Sequence, residues 1–591
     1  MIICSAQGYT GAKEPTRLGE ATMAHTISIG AQGFEELRVN GYFYVDKTGF
    51  VRDWWEAGDV ATLVCRPRRF GKTLNLDTVR CFLSAEFAHR GEELFGGLDV
   101  WDGGTDAQRE AMRALQGTVP VVALSFANVK EPTWAEAFEG VRATVADACR
   151  AHGYLFDWEG LTDYDREALR AIRPDMSAVT CSRALHLLCT LLFRYWGVKP
   201  VVLLDEYDAP MERAWTAGYW DEASDFMRSL MNSTFKTNPD MGRALITGVT
   251  RVSRESIFSD LNNLVVVTSS TPLYQTCFGF TQEEVDAALA EYGLASRREG
   301  VREWYDGFTF GGVAHIYNPW SLTQFLQFGE FRAWWANTSS NGLASEVVRR
   351  GDDALKADFE ELMRGGTIER IIDEEVVFSE LRTRPDAAWA LLLAAGYVTS
   401  PGPVPEFPTR TPRPLRLTNL EVSDTFDRMV EGWFADGGSD YGRLAEALLA
   451  GDARMATRCL AEVTLYCMPS FDGVRRPAER EPERFYHGLV LGLLAHLRDR
   501  WSVESNRESG WGRYDVALVP TDGASGADPA VVMEFKVFDP DEETTLADTV
   551  VRAREQIRDK AYVAGLVARG IAEERIHTFG IAFRGKDVLV G

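Results

Sequence analysis

The chain has 591 residues, several times the size of a domain of about 100–200 residues, so more than one folded unit is expected. Hydrophobic residues make up 45% and charged residues 25%, which are ordinary globular values and exclude a disordered, collagen-like or coiled-coil protein. The formal net charge is −24, so any binding to nucleic acid depends on local basic patches, and a protein that coats DNA is disfavoured.

Cysteine usage and hydropathy point to a cytoplasmic protein. Nine cysteines are scattered without a CxxC pair or a histidine at zinc-ligand spacing, which favours reduced thiols. The longest apolar runs, such as residues 387–398, are far shorter than the roughly 20 residues that cross a bilayer, so no membrane contact is expected. No export signal precedes Met23, and residues 1–24 are predicted to be an N-terminal extension.

Short apolar runs alternate with helical segments over residues 25–280. The runs predict buried strands at 60–65, 119–126, 201–206 and 243–248. The segments between them predict helices at 133–152, 182–196 and 222–235, and shorter ones that end at Ala57 and Leu83. This alternation is typical of an α/β domain with a mainly parallel sheet.

The rest of the chain divides into two further predicted units. Residues 281–454 are mainly helical, with a helix that starts at Asn318 and Pro319 and a Pro-rich loop or linker at 401–414. Residues 455–591 predict a second α/β domain. After a helical stretch at 443–468, its elements are a helix at 483–497, strands near 501–506, 512–519 and 530–538, a long helix at 546–569 and a strand at 577–583.

The first strand leads into a candidate phosphate-binding loop. Such a loop needs backbone N–H groups around the phosphates, a lysine for the phosphate oxygens and a hydroxyl for magnesium, usually written GxxxxGK[ST]. Arg69, Phe70, Gly71, Lys72 and Thr73 supply the end of this pattern. The first glycine is replaced by Arg66, which places a side chain where φ > 0 is often required.

Polar residues at the ends of the next strands complete the nucleotide-site hypothesis. Asp205 and Glu206 end one apolar strand, where an aspartate that holds Mg²⁺ and a glutamate that activates water belong. A helix N-cap is a common alternative role for this pair, and the two roles can coexist. A solvated helix start is the alternative for Lys72, and the strand–loop–helix context with an acidic strand end makes it the less favoured one. Thr247 ends the following strand and either senses the γ-phosphate or bonds the backbone.

Two arginines follow that strand. Arg251 and Arg254 could act as arginine fingers in cis, or in trans within a homo-oligomer, although a solvated side chain is the favoured account of each.

These segments resemble those of bacterial AAA-ATPase-like proteins that carry a C-terminal PD-(D/E)XK nuclease-like domain. The resemblance runs from about Ile27 to the C-terminus, and that family itself carries arginine at the first loop position. It implies that Lys72 and Thr73 bind ATP with magnesium and that Asp205 and Glu206 form the Walker B pair. The matching segments are 44–48, 66–73, 204–210, 257–263, 279–281, 304–307, 317–321 and 506–515.

Two carboxylates and a lysine in the C-terminal unit predict a metal-dependent nuclease site. Strand period 2 places Glu534 and Lys536 on one face, opposite Phe535, and Asp515 can reach them from the adjacent strand. Carboxylates that converge on Mg²⁺ and a nearby lysine suit phosphodiester hydrolysis, because charge accumulates on the phosphate oxygens. A solvated edge strand is the alternative for this short pattern, and the Phe535 carbonyl is a further possible ligand.

Flanking residues carry weaker hypotheses. Glu483 shares a helix face with His487 and could add a metal ligand, whereas a helix-start acid is the simpler role. Arg552 and Gln556 share a face and could contact phosphate or solvent. The tryptophan pairs at 54–55 and 334–335 are interpreted as packing and not as base-stacking platforms.

The sequence therefore supports two hypotheses. The first is an ATP-binding ATPase that controls a fused magnesium-dependent nuclease, with DNA favoured over RNA as the partner. The alternative is a nucleotide-dependent switch or scaffold whose C-terminal domain binds nucleic acid or protein without cleavage.

Overall fold

The computed structural model describes residues 24–250, 262–335, 353–363, 365–374, 386–408, 410–426, 441–467, 500–505, 508–509, 512–513, 515–521, 528–540, 542–585 and 587–591, with residues 347 and 490. The N-terminal extension and the predicted helix at 483–497 lie almost wholly outside these residues.

The N-terminal part contains a five-stranded parallel sheet. The strands are all short and apolar, and they are β1 (Ala61–Cys65), β2 (Val121–Ser125), β3 (Val201–Asp205), β4 (Arg243–Gly248) and β5 (Leu264–Val267). Their order is β2-β3-β4-β1-β5, and every neighbouring pair is parallel. The predicted strands are confirmed, and their continuous apolar sequence is explained because helices cover both faces of the sheet.

Helices connect these strands and supply the two apolar layers. They are α1 (Phe34–Val39), α2 (Gly49–Ala57), α3 (Lys72–Leu83), α4 (Gly91–Phe95), α5 (Asp99–Asp102), α6 (Asp106–Leu115), α7 (Trp134–Arg150), α8 (Asp163–Arg170), α9 (Ala178–Trp196), α10 (Ala209–Ala217) and α11 (Trp220–Met231). Helix α9 begins four residues before the predicted start because the Ser177 side chain caps it, and Gly197 ends it as predicted.

The middle part is mainly helical and carries two small antiparallel sheets that the sequence did not predict. The helices are α12 (Gln282–Glu291), α13 (Arg298–Tyr305), α14 (Pro319–Phe328), α15 (Asp353–Met363), α16 (Asp386–Ala395), α17 (Tyr441–Leu449) and α18 (Ala453–Cys467). The strands are β6 (Phe308–Phe310), β7 (Val313–Ile316), β8 (Ile368–Arg370), β9 (Val398–Thr399) and β10 (Arg413–Leu417). Asn318 caps α14 through its side chain, as predicted.

A buried carboxyl group connects two segments of this middle part. Glu421 is 1% exposed and accepts hydrogen bonds from the Ser321 hydroxyl, at 2.9 and 2.8 Å, and from the Trp335 backbone N–H, at 2.7 Å. Burial outweighs these hydrogen bonds and raises the pKa of Glu421 to about 7.

Glu421→Gln is expected to stabilise the protein at pH 8 and to change its stability little at pH 5. A folded-state pKa above the unfolded value means that the native protein binds the extra proton, so stability falls as the pH rises from about 4.5 to about 7. The difference between variant and wild type should approach about 3 kcal/mol at pH 8, which follows from about 1.4 kcal/mol for each pKa unit. Calorimetric unfolding at pH 5, 6, 7 and 8 measures it.

The exposed Glu283 of α12 provides the matched control for this prediction. Glu283→Gln should leave the pH dependence of unfolding as in the wild type. A stability difference for Glu421→Gln that is equal at pH 5 and pH 8 would contradict the prediction.

The C-terminal part is a five-stranded mixed sheet of order β11-β14-β15-β16-β17, with a separate two-stranded sheet of β12 and β13. Its strands are β11 (Trp501–Ser505), β12 (Glu508–Ser509), β13 (Gly512–Arg513), β14 (Val516–Pro520), β15 (Ala530–Val537), β16 (Ile576–Arg584) and β17 (Asp587–Val590). Strands β15 and β16 are parallel and are connected through α19 (Leu546–Asp559) and α20 (Tyr562–Ala568).

The prediction of one long helix at 546–569 is wrong. The chain breaks at Ala561, whose φ of +52° is left-handed, and α20 then restarts at Tyr562. No glycine or proline marks the break in the sequence, and the burial of the Tyr562 ring accompanies it.

Two predictions about chemistry and location can be compared with the described residues. Among the described residues, seven cysteines form no disulfide bond, and the reduced state of their thiols stays a prediction; they are Cys65, Cys81, Cys149, Cys181, Cys189, Cys277 and Cys459. Over the described ranges, none of the helices has the length and apolar character that crossing a membrane requires.

Candidate functional site

The loop between β1 and α3 has two left-handed residues. Gly71, the N-cap of α3, has a φ of +78°, and Arg69 has a φ of +67°. Arg66 is not among the residues with positive φ. The prediction that arginine, in place of the usual first glycine, occupies a position that requires positive φ is therefore wrong. The unusual backbone conformation occurs three residues later, at a side-chain-bearing arginine.

Arg66 has a structural role at the start of the loop. Its guanidinium is fully buried and donates to the carbonyl oxygens of Cys65, at 3.0 Å, and Thr268, at 2.7 Å. It also lies 4.5 Å from the ring centre of Phe310. Burial lowers its pKa to about 10, and the guanidinium ties the loop to the chain that follows β5.

Lys72 is buried at the first turn of α3, so it is not a solvated helix-start lysine. Its side chain is 6% exposed, and Nζ donates to the carbonyl oxygens of Arg66, at 2.9 Å, and Pro67, at 2.8 Å. Burial lowers its pKa, whereas the nearby Asp205 and Asp208 oppose this shift. The ammonium therefore lies inside the loop, among acidic groups.

Hydroxyl groups from two elements converge on Asp205 at the end of β3. The Thr73 hydroxyl donates to Oδ2 at 2.7 Å, and the Thr247 hydroxyl at the end of β4 donates to Oδ1. Strand β4 lies between β1 and β3, so Thr247 lies between the strand that leads into the candidate phosphate-binding loop and the acidic strand end. Thr247 was predicted either to sense the γ-phosphate or to bond the backbone. Its hydroxyl bonds the Asp205 carboxylate, and not the backbone.

The residues after Asp205 shape the acidic end of the sheet. Glu206 is partly buried with a φ of +47°, and burial together with the Asp205 charge raises its pKa. Asp208, which the sequence did not single out, accepts hydrogen bonds from the N–H groups of Val249, at 2.8 Å, and Thr250, at 2.9 Å. It fixes the backbone just beyond Thr247. Neither carboxylate of the pair 205–206 caps α10, which begins at Ala209.

The other predicted nucleotide-site residues contribute differently. The Phe70 ring is 1% exposed and packs against Phe308 and Phe310, so its side chain belongs to an apolar cluster. The Arg69 guanidinium lies 4.4 Å from the ring centre of Trp320. Arg251 lies outside the described residues, as does Arg254.

The C-terminal carboxylates lie opposite each other. Val516 pairs with Met533 in the antiparallel β14–β15 ladder, so Asp515 falls opposite Glu534. Asp515 Oδ2 also accepts the N–H of Phe535 at 2.8 Å. Lys536 Nζ is 3.4 Å from Glu534 Oε1. The predicted alternation is confirmed, because Met533 and Phe535 are fully buried in the main core on the other face.

Glu534 is not on a solvated edge. Strand β15 is the central strand of the sheet, and Glu534 is 1% exposed on the face that α19 covers. Tyr562, at the start of α20, packs in the same apolar cluster as Val532 of β15. Gln556 donates to Glu534 Oε1, and the Tyr562 hydroxyl lies 3.4 Å from Gln556 Nε2. Tyr562 was missed by sequence reasoning, since only the helix break at Ala561 brings it to this position.

The remaining predicted residues lie elsewhere or have structural partners. Arg552 Nε is 2.8 Å from Glu543 Oε1, and its guanidinium also donates to the Val537 carbonyl oxygen at 3.1 Å. Glu483 and His487 lie outside the described residues. Within the part of the chain that the structure describes, no group of three or more His, Cys, Asp or Glu side chains is arranged to hold a metal ion.

Comparison with protein families finds a matching family for the N-terminal region and another for the C-terminal region. Residues 28–258 match the family model described as "Predicted AAA-ATPase". Residues 481–591 match a model of the PD-(D/E)XK nuclease superfamily. The chain combines an AAA-ATPase-like domain with a PD-(D/E)XK nuclease-superfamily domain. The matches agree with the parallel sheet that carries the phosphate-binding loop and with the C-terminal sheet that carries Asp515 and Glu534.

Two individual proteins are also similar to this chain. An uncharacterized protein in the vnfD 5′ region of Azotobacter chroococcum mcd 1 is 27% identical over 574 residues, covering 94% of this chain and 96% of that protein. A Walker-type ATPase of Pyrococcus abyssi is 13% identical, with a TM-score of 0.35, and the match covers 65% of this chain and 95% of that structure.

Proposed function

We propose that the protein is an ATP-hydrolysing module that controls a fused magnesium-dependent nuclease acting on nucleic acid, with DNA preferred to RNA. One observation carries the proposal: the same chain contains two acidic sites, and each lies beside a lysine. One comprises Asp205 and Lys72, and the other comprises Asp515, Glu534 and Lys536.

The N-terminal site fits ATP with magnesium. Lys72 Nζ now donates to two loop carbonyls, and phosphate oxygens are stronger acceptors for the same ammonium. The Thr73 hydroxyl and the Asp205 carboxylate are oxygen ligands of the kind that Mg²⁺ prefers. Mg²⁺ usually keeps several water and substrate phosphate ligands, so it needs only one or two protein carboxylates. The described residues contain no cluster of three or more such ligands here, which agrees with this requirement. Glu206 would orient and deprotonate the attacking water.

The C-terminal site fits phosphodiester hydrolysis. Asp515 and Glu534, with the Phe535 carbonyl, would hold Mg²⁺, which would neutralise charge on the scissile phosphate. Lys536 is 20% exposed at the end of the same face, where it would stabilise the charge that develops on the phosphate or orient the attacking water.

Contacts of the middle part support control of one site by the other. Trp335 donates through its indole N–H to the Arg68 carbonyl oxygen of the phosphate-binding loop at 3.2 Å. At the other end, Gly451, which follows α17, lies against the His577 ring of β16 in the C-terminal sheet. The middle part therefore touches both domains.

The deciding experiment measures cleavage of plasmid DNA, single-stranded DNA and RNA in Mg²⁺ or Mn²⁺, with and without ATP. Glu534→Ala is expected to abolish cleavage and leave ATP hydrolysis intact. Lys72→Ala is expected to abolish ATP hydrolysis and the effect of ATP on cleavage. Glu555→Ala and Lys199→Ala, at exposed positions, are the matched controls.

Two outcomes would contradict the proposal. Equal cleavage with and without ATP, or by Lys72→Ala, would exclude nucleotide control. ATP hydrolysis without cleavage of any substrate would favour the switch or scaffold, in which the C-terminal domain binds a partner without cutting it.

A further inference from the structure

The phosphate-binding loop has a conformation that its own sequence does not favour. Arg69 has a φ of +67°, a left-handed conformation that costs free energy for a residue with a side chain and that glycine adopts readily. Such a conformation persists only where neighbouring groups impose it. The groups that surround Arg69 come from residues more than 240 positions later in the chain.

Three side chains after β7 contact the loop on both sides of the Arg68–Arg69 peptide. The Arg68 carbonyl oxygen accepts the indole N–H of Trp335 at 3.2 Å and the Asn318 side-chain amide at 3.4 Å. The Arg69 guanidinium lies 4.4 Å from the ring centre of Trp320, within cation–π distance. We name Asn318, Trp320 and Trp335 the loop clamp.

The clamp sets the direction of a backbone N–H. In a trans peptide the C=O and N–H bonds point in opposite directions. Because the clamp holds the Arg68 C=O, the N–H of Arg69 is directed away from the clamp. A phosphate-binding loop functions by fixing such N–H groups before the phosphates arrive.

The clamp is itself held rigidly. The Glu421 carboxylate accepts the Trp335 N–H at 2.7 Å and the Ser321 hydroxyl, which lies in the same helix as Trp320. The Asn318 side-chain oxygen accepts the Trp320 N–H at 2.9 Å while its amide faces the loop. The residues that contact Arg68 and Arg69 are therefore connected to one another as well as to the loop.

We propose that Asn318, Trp320 and Trp335 are positioning residues for ATP binding, which impose on Arg69 the left-handed conformation that a glycine would adopt by itself. The inference rests on the proposed binding of ATP at Lys72 and Thr73. It gives a function to the 317–321 motif, which the sequence singled out and neither proposed chemical site uses.

The test removes the hydrogen bond from Trp335 to the Arg68 carbonyl oxygen and keeps an aromatic ring at position 335. Trp335→Phe is expected to raise the KM for ATP, and the Kd for a fluorescent ATP analogue, about fivefold to tenfold, with a smaller change in kcat. Trp334→Phe is the matched control, because its indole N–H donates to the Glu330 carbonyl oxygen and does not contact the loop. It should leave KM and Kd unchanged.

Rescue separates this inference from a general loss of structure. Glycine at position 69 adopts positive φ without cost and no longer needs the clamp. The double variant Trp335→Phe with Arg69→Gly should therefore have a KM within about twofold of that of Arg69→Gly alone. Should Trp335→Phe not fold, Trp320→Leu at the partly exposed ring is tested in the same way.

Two results would overturn the inference while leaving the proposed function standing. They are wild-type ATP affinity in the clamp variants, and a raised KM that Arg69→Gly does not restore. A wild-type protein that binds no ATP analogue would instead overturn the proposed function, and this inference with it.

Discussion

Glu206→Gln is expected to slow ATP hydrolysis by about 10²–10⁴-fold while ATP still binds, because glutamine keeps the size of the side chain but cannot take a proton from water. Glu206 follows β3 directly, beside Asp205 and near Lys72. Single-turnover hydrolysis, together with titration of a fluorescent ATP analogue, separates the chemical step from binding.

The pH dependence of the same reaction gives a second measurement. Burial is the largest cause of the raised pKa of Glu206, the Asp205 charge adds to it, and the Lys72 charge opposes it. A general base must be deprotonated, so the wild-type rate should fall on the acid side at a pH above the ordinary glutamate value of about 4.5. Glu206→Gln should lack this acid limb.

Glu222→Gln, at an exposed position of α11, is the matched control and should hydrolyse ATP at the wild-type rate. Wild-type hydrolysis by Glu206→Gln would show that another group activates the water. Loss of ATP binding in the same variant would show that Glu206 shapes the pocket instead.

The parts of the fold that could be predicted are those encoded by neighbouring residues. Apolar runs gave the strands of the parallel sheet, since strands buried on both faces are apolar throughout. The period of two residues placed Glu534 and Lys536 on one face of β15, and the structure has Phe535 buried on the other. These patterns are encoded by neighbouring residues, and at these strands the tertiary contacts did not override them.

The details that could not be predicted depend on contacts between distant residues. The left-handed backbone lies at Arg69 and not at the missing glycine, because groups from Trp320 and Trp335 surround that residue. Tyr562 reaches Gln556 only because the chain turns at Ala561, where no glycine or proline signals a break. Sequence periodicity carries no information about either event.

Asp515→Asn is expected to lower nucleic-acid cleavage by at least about 10²-fold and to weaken Mg²⁺ or Mn²⁺ binding, since an amide oxygen carries no negative charge for the metal. The substitution should preserve the strand pairing. The Asp515 carboxylate accepts the Phe535 N–H at 2.8 Å, and the oxygen of an asparagine amide accepts the same hydrogen bond.

The control for this prediction lies on the last strand of the same sheet. Asp587 is exposed and pairs with Arg584 at 3.1 Å, so Asp587→Asn should change neither metal binding nor cleavage. Titration of Mn²⁺ by paramagnetic resonance, followed by cleavage assays at matched metal concentrations, measures both quantities.

If Asp515→Asn lost cleavage but bound the metal as the wild type does, Asp515 would act on the substrate or on the position of Glu534, and the ion would be held by other groups. If both variants bound metal and cleaved alike, the carboxylate opposite Glu534 would serve only to accept the Phe535 N–H and stabilise the β14–β15 pairing.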